Sequence, residues 1–307
     1  MGLSVDAVTA DRHRLRVWWL AIRPKTLPAA ASGVVVGGVL AWSDGFWAAW
    51  PWLAALAIAF LLQIGSNLAN DVYDNERGTD TAERQGPTRV TQAGLLTPAA
   101  VKTGMVVVLA AALTLGLYLT YLRGWIVLAI GLAAIAAAVA YTGGPYPYGY
   151  HGLGDLFVYL FFGQAAVTGT YFVTAGRTTP QAWLMAVPIG LIITALLVVN
   201  NLRDISEDVK AGKRTLAVLI GAPATKIEYW VCLAVAFAVP LGLIAAGLLP
   251  AWTLTYLLSL PWAIRAARVV GSATGRALNP ALGYTARLAF LFSVTFAAGL
   301  IVAGFLK

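Results

Sequence analysis

Gln63-Ile-Gly-Ser-Asn67-Leu-Ala-Asn70-Asp71-Val-Tyr-Asp74 is the stretch on which the fold turns, because apolar sequence from Pro51 onward runs straight into it and carboxylates follow at once. Outward from it, Glu76, Asp80 and Glu83 extend the acidic segment, and Asp204, Glu207 and Asp208 form a second one behind another apolar run. These eight are most of the 13 acidic residues in the chain. Carboxylates crowded at a bilayer edge repel one another by roughly 3 kcal/mol per close pair, at ~5 Å and an effective dielectric of ~20, unless cations share the site. The pattern points to a divalent metal, and a metal beside lipid points to a phosphorylated lipid as substrate.

Composition supplies the bilayer. With 60% apolar and 11% charged residues over 307 positions, and a mean hydropathy of +0.77, no soluble globule has enough interior for so much hydrocarbon. Crossing a core of ~30 Å takes ~20 apolar residues as helix, and no strand-length alternation suggests a barrel. One all-α polytopic domain over residues 1–307 is expected. Its nine spans are Val17 to Ala41, Pro51 to Asn70, Ala99 to Leu122, Trp125 to Tyr141, Asp155 to Ala175, Trp183 to Leu202, Glu228 to Leu249, Trp252 to Val270 and Tyr284 to Phe305. The start, with Arg12, Arg14 and Arg16, is similar to that of a signal peptide, but the run from Trp18 to Trp42 is long enough to span and is expected to be a retained helix. Tryptophans near the span ends, such as Trp42, Trp125, Trp183 and Trp252, suit the membrane interface.

Nine spans put the amino terminus and the loops after spans two, four, six and eight on one side. Of the 21 basic residues, 18 then fall on that side, leaving Arg123, Arg177 and Lys307 opposite. The bias places the amino terminus and both acidic segments in the cytoplasm. It also accounts for the net charge of +8 through topology and anionic headgroups, so the partner is the lipid bilayer and no nucleic acid is called for. The single cysteine, Cys232, lies in an apolar run and reads as a small buried or lipid-facing side chain.

The two acidic segments form a weak repeat, since Asn67, Asp71 and Asp74 are echoed by Asn200, Asp204 and Asp208. On a helix each trio falls within about 60–80° and presents its oxygens on one face. Asn and Asp oxygens, Asn70 and Asn201 included, are hard ligands suited to Mg²⁺, which bridges protein carboxylates to phosphates. Cations follow the second segment at once, Lys210, Lys213 and Arg214 on a turn that also holds Gly212 and Thr215, and would meet phosphate oxygens the metal leaves uncovered. Arg23-Pro24-Lys25-Thr26-Leu27-Pro28 places two cations and two helix-bending prolines at the mouth of span one. Tyr141-Thr-Gly-Gly-Pro145-Tyr-Pro-Tyr-Gly-Tyr-His151-Gly-Leu-Gly-Asp155 is a turn-rich aromatic loop whose tyrosines suit an aromatic ring or a cation, with His151 a surface residue. Phosphate-loop, zinc-protease and serine-hydrolase motifs are absent.

Over nearly its whole length the chain resembles the UbiA superfamily of intramembrane aromatic prenyltransferases. Asn67 to Asp74 resembles that family's first aspartate-rich motif and Asp204 to Asp208 its second. Arg23 to Pro28, the Tyr141 to Asp155 loop and Gly212-Lys213-Arg214-Thr215 resemble the subgroup that acts on 1,4-dihydroxy-2-naphthoate, as does the five-residue gap between Asp74 and Asp80. The resemblance implies a nine-helix bundle around a central cavity in a bacterial cytoplasmic membrane. It implies two Mg²⁺ ions held by Asn67, Asp71 and Asp74 on one wall and Asp204 and Asp208 on the other, gripping a polyprenyl diphosphate. Lys25, Arg84, Lys213 and Arg214 would complete the diphosphate shell, Asn70 and Asn201 would support it, Arg23 would orient the acceptor carboxylate, and Tyr141 and Asp155 would lie near the acceptor. Competing readings are a secondary transporter, against which the ionisable residues cluster at one face instead of the midplane, and a prenyltransferase with another aromatic acceptor.

Overall fold

The computed structural model describes residues 15–79, 86 and 88–306; Arg12, Arg14, Asp80, Glu83, Arg84 and Lys307 lie outside the described residues. Among those described there is helix, turn and loop but no strand. Nine helical segments follow in order: α1 (Leu15–Ser43), α2 (Ala49–Glu76), α3 (Pro98–Arg123), α4 (Trp125–Ala140), α5 (Gly154–Ala175), α6 (Pro180–Lys210), α7 (Leu216–Ala245), α8 (3₁₀ turns over Ala251–Ser259, then Leu260–Ser272) and α9 (Gly275–Phe305). Seven of them are long and apolar enough to cross a membrane, and α4 is a shorter apolar helix. The chain is an integral membrane protein.

Local chemistry sets the helix ends. Thr97 and Thr179 each precede a proline, and their hydroxyls accept from the amides of Ala100 and Ala182. This pairs an N-cap with a first-turn residue that has no amide to leave unpaired. Hydropathy predicts that α2 stops near Asn70 and α6 near Leu202, but the helices continue to Glu76 and Lys210. A hydropathy boundary marks where lipid stops, whereas the hydrogen-bond ladder needs only partners for its polar side chains. Asp71, Asp74, Asp204 and Asp208 therefore ride on rigid, buried helix ends. The loop expected between Leu202 and Glu228 shrinks to residues 211–215, and α7 carries a kink at Gly221.

α1 and α6 form the inner layer, each with 67% of its apolar window buried, against 22% for α3. α1 packs on α9, α5 and α2, while α6 packs on α7, α5 and α9. The main core joins α1, α5, α6, α7, α8 and α9, and a second cluster joins the start of α1 to α2 and α3 around Leu68, Val72 and Val101. Where α5 meets α6 the backbones touch, since a Cβ on Gly163 would fall 2.5 Å from Gly190 Cα. Small residues permit such approach in a bilayer, and α5 adopts π-helical turns over Tyr159–Ala165 at that point.

The two ends of the bundle differ. At one, Tyr171 donates to Asp44 at 2.6 Å, and Arg123 donates to the carbonyls of Val173 and Thr174 at 2.9 and 3.0 Å, tying α1, α3 and α5 together. Exposed Trp47, Trp50, Trp125, Trp183 and Trp252 gather at the loops of this end. At the other, the break in α1, the ends of α2 and α6, and the segments after α2, α4 and α6 converge.

Candidate active site

At that second end opens a cavity of about 1360 Å³. Its body is apolar, with Ile58, Leu113, Ile130, Phe161 and Leu196 among the lining residues. Its mouth is charged, with Arg23, Lys25, Asp74, Arg89, Arg203, Asp204, Asp208 and Lys213 on the wall.

A break in α1 shapes one side of the mouth. Arg23 adopts φ 55 and ψ 66, the one non-glycine residue with positive φ among those described. That conformation costs an L-residue about 1–2 kcal/mol. The turn is pinned from both sides: Thr26 donates its amide and hydroxyl to the Arg23 carbonyl, and Asn67 on α2 donates to the Ile22 carbonyl at 2.9 Å and to Thr26 Oγ1 at 3.1 Å. Gln63 in turn donates to Asn67 Oδ1 at 3.2 Å. Arg23 and Lys25 thereby reach the mouth instead of continuing along the helix.

Asp74 is the hub. Arg89 Nη2 lies 2.9 Å from one carboxylate oxygen; Lys213 Nζ at 3.2 Å and the Tyr150 hydroxyl at 2.6 Å meet the other. Lys213 also sits 4.6 Å from the Tyr150 ring centroid, a cation–π distance. Burial first, then the neighbouring Asp74, push the Tyr150 phenol above its ordinary value, so it stays protonated as a donor. Across the mouth, Arg203 grips both Asp204 oxygens at 2.6 Å and also donates to Asn200 on α6 and Asn279 on α9. Asp208 accepts from Thr215 at 3.4 Å. The turn after α6 is stitched to the aromatic loop, because the Arg214 amide donates to the Tyr150 carbonyl at 3.0 Å.

The two acidic segments, more than a hundred residues apart in sequence, thus share one cavity mouth. Of the residues singled out from sequence, Arg23, Lys25, Asn67, Asn70, Tyr141, Asn201, Asp74, Asp204, Asp208 and Lys213 are on its wall. Three are not brought there, buried Asp155 among them. Asp71 is off the wall, its oxygens accepting from the amides of Val90 and Thr91, and the Arg214 side chain is exposed away from it. No three His, Cys, Asp or Glu side chains among the described residues form a cluster able to hold an ion; the carboxylates alternate with Arg and Lys. Sequence reasoning passed over Arg89 and Arg203, counted only as topology-setting cations, and took in Tyr150 only among the loop tyrosines, without its bond to Asp74. For Arg203 a signal existed in its place between Asn200 and Asp204; for Arg89, in a loop, none did. His151 is an exposed loop residue stacked on Tyr146, as the sequence suggests, and Cys232 takes the buried one of the two places the sequence allows.

The sequence matches the UbiA prenyltransferase family over residues 30–294. This chain belongs to that family. Among its relatives, the 1,4-dihydroxy-2-naphthoate octaprenyltransferase of Mycobacterium tuberculosis is 42% identical, the match covering 92% of this chain and 96% of that one. The enzyme of the same name from Haemophilus influenzae is 35% identical, with 94% and 97% covered. Solved UbiA homologues share the fold: one from Aeropyrum pernix has a TM-score of 0.71 at 15% identity, covering 90% and 97%. One from Archaeoglobus fulgidus, bound to GPP and Mg²⁺, has a TM-score of 0.65 at 12% identity, covering 93% and 98%. The nine helical segments among the described residues keep the order in which hydropathy predicts spans, seven of them long and apolar enough to cross a membrane.

Proposed function

We propose that this UbiA-family protein transfers a polyprenyl chain from an allylic polyprenyl diphosphate to 1,4-dihydroxy-2-naphthoate, releasing diphosphate and CO₂, as a step of menaquinone biosynthesis at the cytoplasmic face of a bacterial membrane. The names of its relatives support the acceptor. The carrying observation is the division of one cavity into a charged mouth and an apolar body, the two chemistries of a prenyl diphosphate.

The donor set fits Mg²⁺. Among the described residues the cavity wall offers carboxylate and amide oxygens and neither thiolate nor imidazole. Asn67 and Asp74 on α2, with Asp204 and Asp208 on α6, are the residues that would hold it. When bound, Mg²⁺ supplies positive charge to the departing diphosphate. Lys213, Arg89, Arg203 and Lys25 take the remaining phosphate oxygens, and removing one such contact typically costs ~10²-fold in rate. As the allylic C–O bond breaks, the ring carbon bearing the carboxylate bonds to the prenyl carbon. The carboxylate then leaves as CO₂, its bonding pair staying with the ring. Arg23 pairs with the acceptor carboxylate before that loss. Tyr141, whose phenol burial keeps protonated, lines the wall as a neutral aromatic surface. Apolar walls keep water from quenching the allylic cation.

Purified protein in lipid nanodiscs, given a polyprenyl diphosphate and Mg²⁺, should prenylate dihydroxynaphthoate with CO₂ release and stop on chelation. Preference for 4-hydroxybenzoate, or undiminished turnover in excess chelator, would contradict the reading.

A further inference from the structure

Asp71 and Asp74 lie one helical turn apart yet serve different neighbours. Asp71 is 1% exposed. Its Oδ2 accepts from the Val90 amide at 3.0 Å and its Oδ1 from the Thr91 amide at 2.9 Å, and Arg23 Nη2 is 3.8 Å from Oδ2. Asp74 faces the cavity and receives the Arg89 side chain at 2.9 Å. So one turn of α2 holds a short segment twice: Asp71 by the backbone of 90 and 91, Asp74 by the side chain of 89. The segment is compact beyond that point, because the amides of Leu95 and Leu96 return to the Val90 carbonyl and Val90 is fully buried.

We propose that Asp71 is a positioning residue, not a metal ligand: it anchors the backbone of Val90 and Thr91 to α2 and so holds Arg89 at the cavity mouth as a diphosphate-binding cation. Both oxygens are committed to amide donors, and charge-assisted bonds of this kind are about twice as strong as neutral ones. Asp71 is moreover 1% exposed and off the cavity wall, whereas Asp74 and Asp204, whose oxygens also carry donors, line it. The division of labour also explains how a loop residue acquires a fixed place, since Arg89 is 5% exposed although it lies in the connection between α2 and α3.

The inference rests on the diphosphate reading of the cavity, and three full-length variants separate the two. In Asp71→Asn, amide hydrogen exchange at 90 and 91, measured without substrate, should speed up about tenfold or more. KM for the polyprenyl diphosphate should rise by a similar factor while the half-saturating Mg²⁺ concentration stays put. In Arg89→Gln the KM rise should recur with exchange at 90 and 91 unchanged, which keeps the test alive if Asp71→Asn folds poorly. In Asp74→Asn the Mg²⁺ requirement should climb. A Mg²⁺ requirement in Asp71→Asn that climbs as in Asp74→Asn, unchanged exchange at 90 and 91 in that variant, or an unaltered KM in Arg89→Gln would each overturn the proposal. An inactive wild-type protein would instead sink the reaction, with the exchange measurement still able to judge the anchor.

Discussion

Asp74 collects partners from three separate segments, Arg89, Tyr150 and Lys213, so single changes there have distinct signatures. Lys213→Ala should lower kcat about 10²-fold, because it removes a cation aimed at the developing diphosphate charge; single-turnover rates check this, and a loss confined to KM contradicts it. Tyr150→Phe removes a hydrogen bond to a charged acceptor, a contact worth about 1.5–3 kcal/mol, and should cost activity about tenfold. The same residue makes a pH prediction. Burial raises the Tyr150 and Tyr148 phenols above their ordinary value of 10.0, with Asp74 adding to the effect on Tyr150. Above pH ~10 the unfolded chain gives up protons that the folded protein keeps, so this stabilisation is whole below pH ~10 and declines as pH rises past it. Unfolding temperature should therefore drop above pH ~10, less steeply in Tyr150→Phe, and equal slopes would refute the assignment. These residues were unequally legible in the sequence. Asp74 and Lys213 stood out by charge and spacing, but a helical separation of about 60° cannot say which of Asp71 and Asp74 faces a cavity and which the loop behind it. Arg89 and Arg203 were hidden because a positive-inside bias explains any cytoplasmic cation without asking what it touches.

Two helices carry the site, and the apolar runs revealed them but not their length. Periodicity and hydropathy place α2 and α6, yet both continue past their last lipid-facing residue because Asn70 and Asp74 find partners on facing segments, Asp208 in the turn after α6 and Asp204 in Arg203 beside it. That continuation depends on contacts from the aromatic loop and from residues 211–215, which no local pattern encodes. The break in α1 was legible through Pro24 and Pro28, whereas the left-handed Arg23 between helix and turn was not. The α5 and α6 contact predicts the cost of spoiling such an arrangement. A side chain at Gly163 has no room beside Gly190, so Gly163→Leu should destabilise by about 1–3 kcal/mol through overpacking and displace the wall that Phe161 and Phe162 contribute. Thermal unfolding in detergent reads the first effect; an unchanged midpoint would mean that the helices separate freely there.

At the scale of the whole molecule, the bundle sorts its surface. Most basic residues and the cavity mouth occupy one end, and exposed Trp47, Trp50, Trp125, Trp183 and Trp252 the other. The charge bias predicts a mouth on the cytoplasmic side, and because Cys232 is buried, introduced cysteines report with little background. Ala49→Cys, at the exposed start of α2, should label in intact cells with an impermeant thiol reagent, and Lys210→Cys, at the exposed end of α6, only after permeabilisation; the reverse pattern would invert the topology. Everything chemical depends on α2 and α6 closing on a single metal–diphosphate unit. An experimental structure with Mn²⁺ and a non-hydrolysable allylic thiodiphosphate tests that most directly. Anomalous density for Mn²⁺ between Asp74 and Asp208, with the prenyl tail running past Ile58 and Phe161, is the predicted result; Mn²⁺ held away from either carboxylate, or a tail outside the cavity, would contradict it.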